Sequence, residues 1–97
     1  MYVILTSKPG QFRTEIGDDL QAVESYDYLF FGRTRAHFVI ASLTRDVKIT
    51  VIDESSPPVV NQVPSKFLTK FQTLEAARNE LKSLTRFGGM DISLVKC

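Results

Sequence analysis

The sequence has a single cysteine, a single histidine and no tryptophan among its 97 residues. One thiol, Cys97, excludes an internal disulfide, a four-cysteine zinc site and an iron–sulfur cluster. His37 and Cys97 stand 60 positions apart, so the sequence predicts no metal site and no cofactor. A lone histidine within an apolar run is more typical of a hydrogen-bonded strand residue than of a general base.

Long hydrophobic runs and nucleotide-binding motifs are also missing. No 18 consecutive residues are apolar, and the N-terminal segment lacks the features of a signal peptide, so we expect a cytoplasmic protein without membrane contact. The five glycines form neither G-x-G-x-x-G nor G-x-x-x-x-G-K. A net charge of +1 excludes a globally basic nucleic-acid binder. With no catalytic motif present, we expect a protein that is not an enzyme.

What is present is a hydrophobic stretch at residues 26–43, in which nearly every side chain on both sides of Gly32 is aromatic or aliphatic. It predicts an antiparallel hairpin with strands at residues 24–31 and 35–43 and a turn at residues 32–34. Strands that are apolar on both faces are typical of the middle of a sheet, or of the space between a sheet and a helix.

Apolar runs or alternation predict further strands at residues 2–6, 11–16, 47–52 and 90–96. Residues 53–65 contain three of the four prolines and are predicted as an irregular crossover or loop. Residues 73–86 predict the one principal helix, with Thr73 as its N-cap and Gly88–Gly89 as its stop. Its apolar stripe is formed by Leu74, Ala77, Leu81 and Leu84.

These elements predict a single domain, residues 1–97, of the α+β class. We expect an antiparallel-rich sheet, a β-meander of five to seven strands, with one principal C-terminal helix packed on one face. The alternative is a small barrel or SH3-like roll with the helix appended. A ferredoxin-like arrangement needs a first helix in residues 11–23, where Gly17 and the strand-like alternation argue against one.

The function predicted from these features is binding. One helix of about four turns is too short to cover all the two-faced apolar strand, which favours a surface left for a partner. Aromatic residues and arginine are favoured in protein interfaces. We therefore predict a non-catalytic accessory or regulatory subunit that contacts a protein partner, or a second copy of itself, through Tyr26, Tyr28, Phe30, Arg33 and Arg35.

Two alternative functions stay open. Phenylalanines are interleaved with Arg33, Arg35, Lys66 and Lys70, as in proteins that bind single-stranded nucleic acid through a basic and aromatic sheet face. Residues 35–39 do not match the RNA-recognition signature, however, because its glycine is absent. The other alternative is a small enzyme or carrier with a ligand pocket between helix and sheet near His37.

Overall fold

The computed structural model describes residues 1–85 and 92–97, and it confirms the α+β class. The described residues form seven antiparallel strands in two sheets and one α-helix. The elements are β1 Tyr2–Ser7, β2 Phe12–Thr14, β3 Gln21–Phe30, β4 Arg33–Ser42, β5 Lys48–Asp53, β6 Val59–Pro64, a short 3₁₀ helix Ser65–Phe67, α1 Leu74–Leu84 and β7 Ile92–Lys96. The predicted helix stop at Gly88–Gly89 and the predicted start of the last strand at residue 90 lie outside the described residues. No helix among those described is long and apolar enough to cross a membrane.

The strands do not form the single meander that the sequence predicted. One sheet, which we call sheet A, has the order β1-β4-β3-β7, and the other, sheet B, has the order β2-β5-β6. The predicted hairpin β3–β4 does occupy the centre of sheet A. Strand β1 pairs with the far side of β4, from Tyr2 opposite Ser42 to Ser7 opposite His37, and so separates β4 from β5.

Helix α1 packs on one face of sheet A, and sheet B packs on part of the other, which accounts for the apolar side chains on both faces of β4. On one face, Ile40 of β4 packs with Ala77 and Leu81 of helix α1. On the other face, sheet B contributes to a second core made of Val3, Leu5, Leu20, Ala41, Leu43 and Ile49. Sheet B covers only the half formed by β1 and β4. On the half formed by β3 and β7, Val95 and Cys97 are exposed.

Helix α1 begins as predicted. The Thr73 hydroxyl accepts a hydrogen bond from the Ala76 N–H at 3.1 Å, which satisfies one of the free donors of the first turn. The predicted apolar stripe is wrong at Leu84, which is 53% exposed. The residues of α1 that face the sheet are spaced by four: Ala77, Leu81 and then Thr85 at the helix end, all of them buried. The Thr85 hydroxyl donates a hydrogen bond to the Leu81 carbonyl.

The proline-rich segment contains a strand that the sequence did not predict. Strand β6 pairs with β5 from Asp53 opposite Val59 to Lys48 opposite Pro64. Prolines precede β6 and end it, so they bound the strand rather than interrupt its hydrogen bonds. Val59 and Val60 are both exposed, although they point to opposite faces, so β6 lacks the alternation from which a strand is recognised.

Candidate binding site at the β3–β4 hairpin

The turn between β3 and β4 holds an aromatic residue in an unfavourable conformation. Phe31 and Gly32 form this turn, one residue earlier than predicted, with φ of 51° and 77°. Two successive positive φ angles suit a two-residue hairpin turn, where Asn, Asp and Gly are preferred. A bulky residue adopts this conformation only at a cost. Phe31 is 60% exposed, so burial offsets little of that cost.

Two aromatic rings and two arginines cluster around this turn. The Phe30 and Phe31 rings meet edge to face with their centroids 4.6 Å apart. A β-bulge pairs Tyr28 with Ala36 and Leu29 with Thr34, which leaves Arg35 as the extra residue of β4. Its guanidinium carbon lies 5.9 Å from the centroid of Phe30, within the range of a cation–π contact. We call Phe30, Phe31, Arg33 and Arg35 the hairpin tip.

A groove runs from the hairpin tip towards the end of helix α1. It encloses about 350 Å³, and its lining includes Lys8, Tyr28, Arg35, Phe38 and Leu84. The Tyr28 and Phe38 rings pack edge to face in its floor, 6.3 Å apart. None of the described residues that line it is acidic. The groove therefore combines an apolar floor with positive charge.

Tyr26 lies in a different environment from the other predicted contact residues. Its ring packs against the cluster of Ile40, Ala77 and Leu81 between sheet A and helix α1. Its hydroxyl donates a hydrogen bond to Glu24 Oε1 at 2.8 Å. Burial, and next this hydrogen bond, raise the pKa of the Tyr26 phenol.

Glu24 is the centre of an ion cluster that the sequence pattern does not predict. Its buried carboxylate accepts hydrogen bonds from Arg78 Nε at 2.8 Å and from Lys96 Nζ at 2.9 Å, in addition to that from Tyr26. These bonds, with that from Arg78 the strongest cause, hold the pKa of Glu24 well below its ordinary value. Because Arg78 is on α1 and Lys96 on β7, the cluster ties both elements to β3.

The only histidine lies beside a carboxylate and the only thiol. His37 of β4 is opposite Asp27 of β3, and its Nδ1 is 2.8 Å from Asp27 Oδ1. Cys97 follows β7 and also lies next to Asp27. Partial desolvation, and then the charge of Asp27, raise the pKa of the Cys97 thiol, which disfavours a nucleophilic thiolate. The pairing of β4, β3 and β7 thus brings His37, Asp27 and Cys97 together, although His37 and Cys97 are 60 positions apart in the sequence.

The predicted basic residues divide between the two ends of sheet A. Arg33 and Arg35 are at the hairpin tip, whereas Lys70 adjoins Phe71, which bridges to Tyr2 at the opposite end. The ten residues of β4 between these ends correspond to about 30 Å. Lys70 Nζ is also 2.9 Å from Asp46 Oδ1. In comparisons with protein-family models, curated proteins and solved structures, the chain has no significant match.

Proposed function

We propose that this chain is a small, non-catalytic binding module that contacts a protein partner through the hairpin tip and the groove beside it. An accessory or regulatory subunit works in this way, by adding a docking surface to an assembly. Phe30, Arg33 and Arg35 act as contacts, and Tyr28 contributes through the groove floor. Tyr26 supports this surface indirectly, because its ring packs between sheet A and helix α1 and holds β3 in place.

The observation that carries the proposal is Phe31. A turn residue with a positive φ is ordinarily Gly, Asn or Asp, which adopt that conformation easily. Phe31 does not adopt a positive φ easily, and its side chain adds little to the core because 60% of the residue is exposed. Strained residues of this kind concentrate at functional sites. An exposed aromatic flanked by arginine has the composition of an interface hot spot.

The groove indicates what the partner offers. Lys8 and Arg35 line it, its floor is aromatic, and its described lining is free of carboxylates. A segment of the partner that carries Asp or Glu beside one large apolar side chain matches both properties. A second copy of this chain is a partner of the same kind, because residues 1–31 hold five acidic side chains against two basic ones.

Nucleic acid fits the surface less well than protein does. A single strand needs a continuous basic track with rings on which bases stack. The basic residues here are split between the two ends of sheet A, and Lys70 is paired with Asp46. The rings of Tyr28 and Phe38 pack on each other edge to face in the groove floor, so each ring has part of its surface covered by the other.

Affinity capture with matched variants tests the proposal. The tagged chain, Phe31→Ser and the double variant Arg33→Glu/Arg35→Glu are compared, with and without nuclease, and light scattering of the purified chain measures self-association. Both variants are expected to lower the recovered partner, or the dimer, by about tenfold or more, as for hot-spot residues. Phe67→Ser is the control, because Phe67 is also an exposed aromatic residue, with 74% of it accessible, and lies away from the hairpin tip. Its ring centroid is 5.4 Å from Lys66 Nζ, a cation–π contact like that of Phe30 with Arg35.

Two results would contradict the proposal. Recovery that is lost with Phe67→Ser but not with Phe31→Ser would place the contact at the 3₁₀ helix. Recovery that disappears after nuclease treatment would identify nucleic acid as the ligand. Circular dichroism of every variant establishes that the fold is retained, and exposed substitutions of this kind change stability little.

A further inference from the structure

The half of sheet A that sheet B leaves open carries three different metal-binding side chains. Asp27 and His37 are cross-strand partners on β3 and β4, so their side chains share one face of the sheet. The Cys97 N–H donates a hydrogen bond to the Ser25 carbonyl at 2.9 Å, which places Cys97 diagonally beside Asp27. One donor atom from each of the three lies within 4.8 Å of the others.

We propose that Asp27, His37 and Cys97 bind one Zn²⁺ ion, with the fourth coordination position open. A thiolate sulfur, an imidazole nitrogen and a carboxylate oxygen are the ligand types that Zn²⁺ uses in proteins. The thiolate disfavours Mg²⁺ and Ca²⁺, which require oxygen ligands. Three protein ligands with one open position is the arrangement in which the metal remains accessible to a further ligand.

The donor atoms need only small movements to bind the metal. Tetrahedral zinc with bonds of about 2.0 to 2.3 Å holds its ligand atoms about 3.5 Å apart. Asp27 Oδ1 and His37 Nδ1 are 2.8 Å apart, and the donor atoms of the three residues all lie within 4.8 Å of one another. Side-chain rotation covers the difference from the tetrahedral spacing, and bonds to the metal replace the hydrogen bond between Asp27 and His37. The backbone positions are already fixed, because Asp27 and His37 belong to paired strands and Cys97 is held by Ser25. The site is therefore largely preformed.

Exposure of the site allows a metal to enter. Asp27 and His37 are half-buried, with 40% and 37% of their side chains accessible, and Cys97 is exposed. The bound ion joins β7, the edge strand of sheet A, to both strands of the central hairpin. Zinc binding is thus independent of the hairpin tip, and it is expected to stabilise the last strand of the chain.

Cobalt and zinc titrations test this site. The full chain, kept reduced, is titrated with Co²⁺ as a spectroscopic probe and then with Zn²⁺ as competitor. We expect one Co²⁺ per chain, with a thiolate-to-cobalt charge-transfer band and the visible bands of tetrahedral Co²⁺, and displacement of both by Zn²⁺. The Cys97→Ser variant is expected to lose the charge-transfer band, and His37→Gln and Asp27→Asn to weaken binding by at least about tenfold.

Asp19→Asn is the matched control, because Asp19 is an exposed carboxylate that pairs with Arg45 away from the site. It is expected to leave the cobalt spectrum and the affinity unchanged. Failure to observe a charge-transfer band at saturating Co²⁺ would overturn the proposal. The proposal would also be overturned if His37→Gln and Asp27→Asn both kept the charge-transfer band and bound Co²⁺ with unchanged affinity, since that result describes an adduct of the thiol alone. The melting temperature gives a second readout: Zn²⁺ should raise it for the unmodified chain but not for His37→Gln.

Discussion

Tyr26 is the residue at which folding and binding are most easily confused. It was predicted as a surface contact together with Tyr28 and Phe30, and its ring lies against the core beneath helix α1. Two substitutions separate its two interactions. Tyr26→Phe removes only the hydroxyl that bonds to Glu24, and Tyr26→Ser removes the ring as well.

The expected magnitudes follow from these contacts. Loss of a hydrogen bond to a charged acceptor costs about 1.5 to 3 kcal/mol, so we expect about 1 to 2 kcal/mol for Tyr26→Phe at this half-buried position. Removing a fully buried aromatic ring costs about 3 to 5 kcal/mol, which partial exposure reduces to about 2 to 4 kcal/mol for Tyr26→Ser. In a domain of this size, the melting temperature then falls by about 4 to 15 °C for the first variant and about 10 to 30 °C for the second.

Thermal and urea unfolding, followed by circular dichroism, measure both variants against Phe31→Ser. The control is expected to stay within about 0.5 kcal/mol of the unmodified chain, since Phe31 is largely exposed. An unchanged melting temperature for Tyr26→Ser, combined with loss of partner capture, would refute this reasoning. It would mean that the ring contributes to the interface and little to the core.

Two further predictions concern groups that the fold buries. Because the pKa of Glu24 is lowered in the folded chain, its contribution to stability is complete above the ordinary carboxyl pKa of 4.5 and is lost as the pH falls below that value. The urea midpoint should therefore decline more steeply with falling pH for the unmodified chain than for Glu24→Gln. Equal slopes would contradict it. The Ser65 hydroxyl is fully buried and accepts from the Val47 N–H at 2.9 Å, so Ser65→Ala should destabilise the chain by about 1 to 3 kcal/mol in urea unfolding. Ser55→Ala, at an exposed loop position, should leave the midpoint nearly unchanged.

The parts of the fold that were predicted correctly depend on local patterns. The hairpin follows from apolar runs on both sides of Gly32, and the start of helix α1 from Thr73 and the apolar spacing after it. Strand β6 was not predicted, because its first four residues are exposed and carry no alternation. The division into two sheets was missed because it depends on β1 pairing with β4, a contact between residues far apart in sequence.

The residues around Glu24 show how a single inserted residue changes the face of the sheet that a strand segment occupies. Plain alternation in β3 places Ala22, Glu24 and Tyr26 on one face. A bulge between Ala22 and Glu24 breaks this alternation, so that Ala22 pairs with Ala41 of the opposite core while Glu24 turns towards helix α1. Glu24 stays on the same face as Tyr26, which packs towards helix α1, so its carboxylate accepts hydrogen bonds from Arg78 and Lys96 as well as from the Tyr26 hydroxyl.

The same dependence on strand order explains why a metal site was not expected from the sequence. The sequence predicts no metal site because His37 and Cys97 are 60 positions apart, and that reason holds only if the last strand is remote from β4. Strand β3 lies between the two and pairs with both, so its residue Asp27 contacts each of them. The order of the strands determines which side chains of a sheet can form a site together. Here the pairing of edge strand β7 with β3 brings Cys97 next to Asp27 and His37 of the central hairpin. Loss of the cobalt charge-transfer band on shortening β7, with β3 and β4 intact, would be the direct consequence.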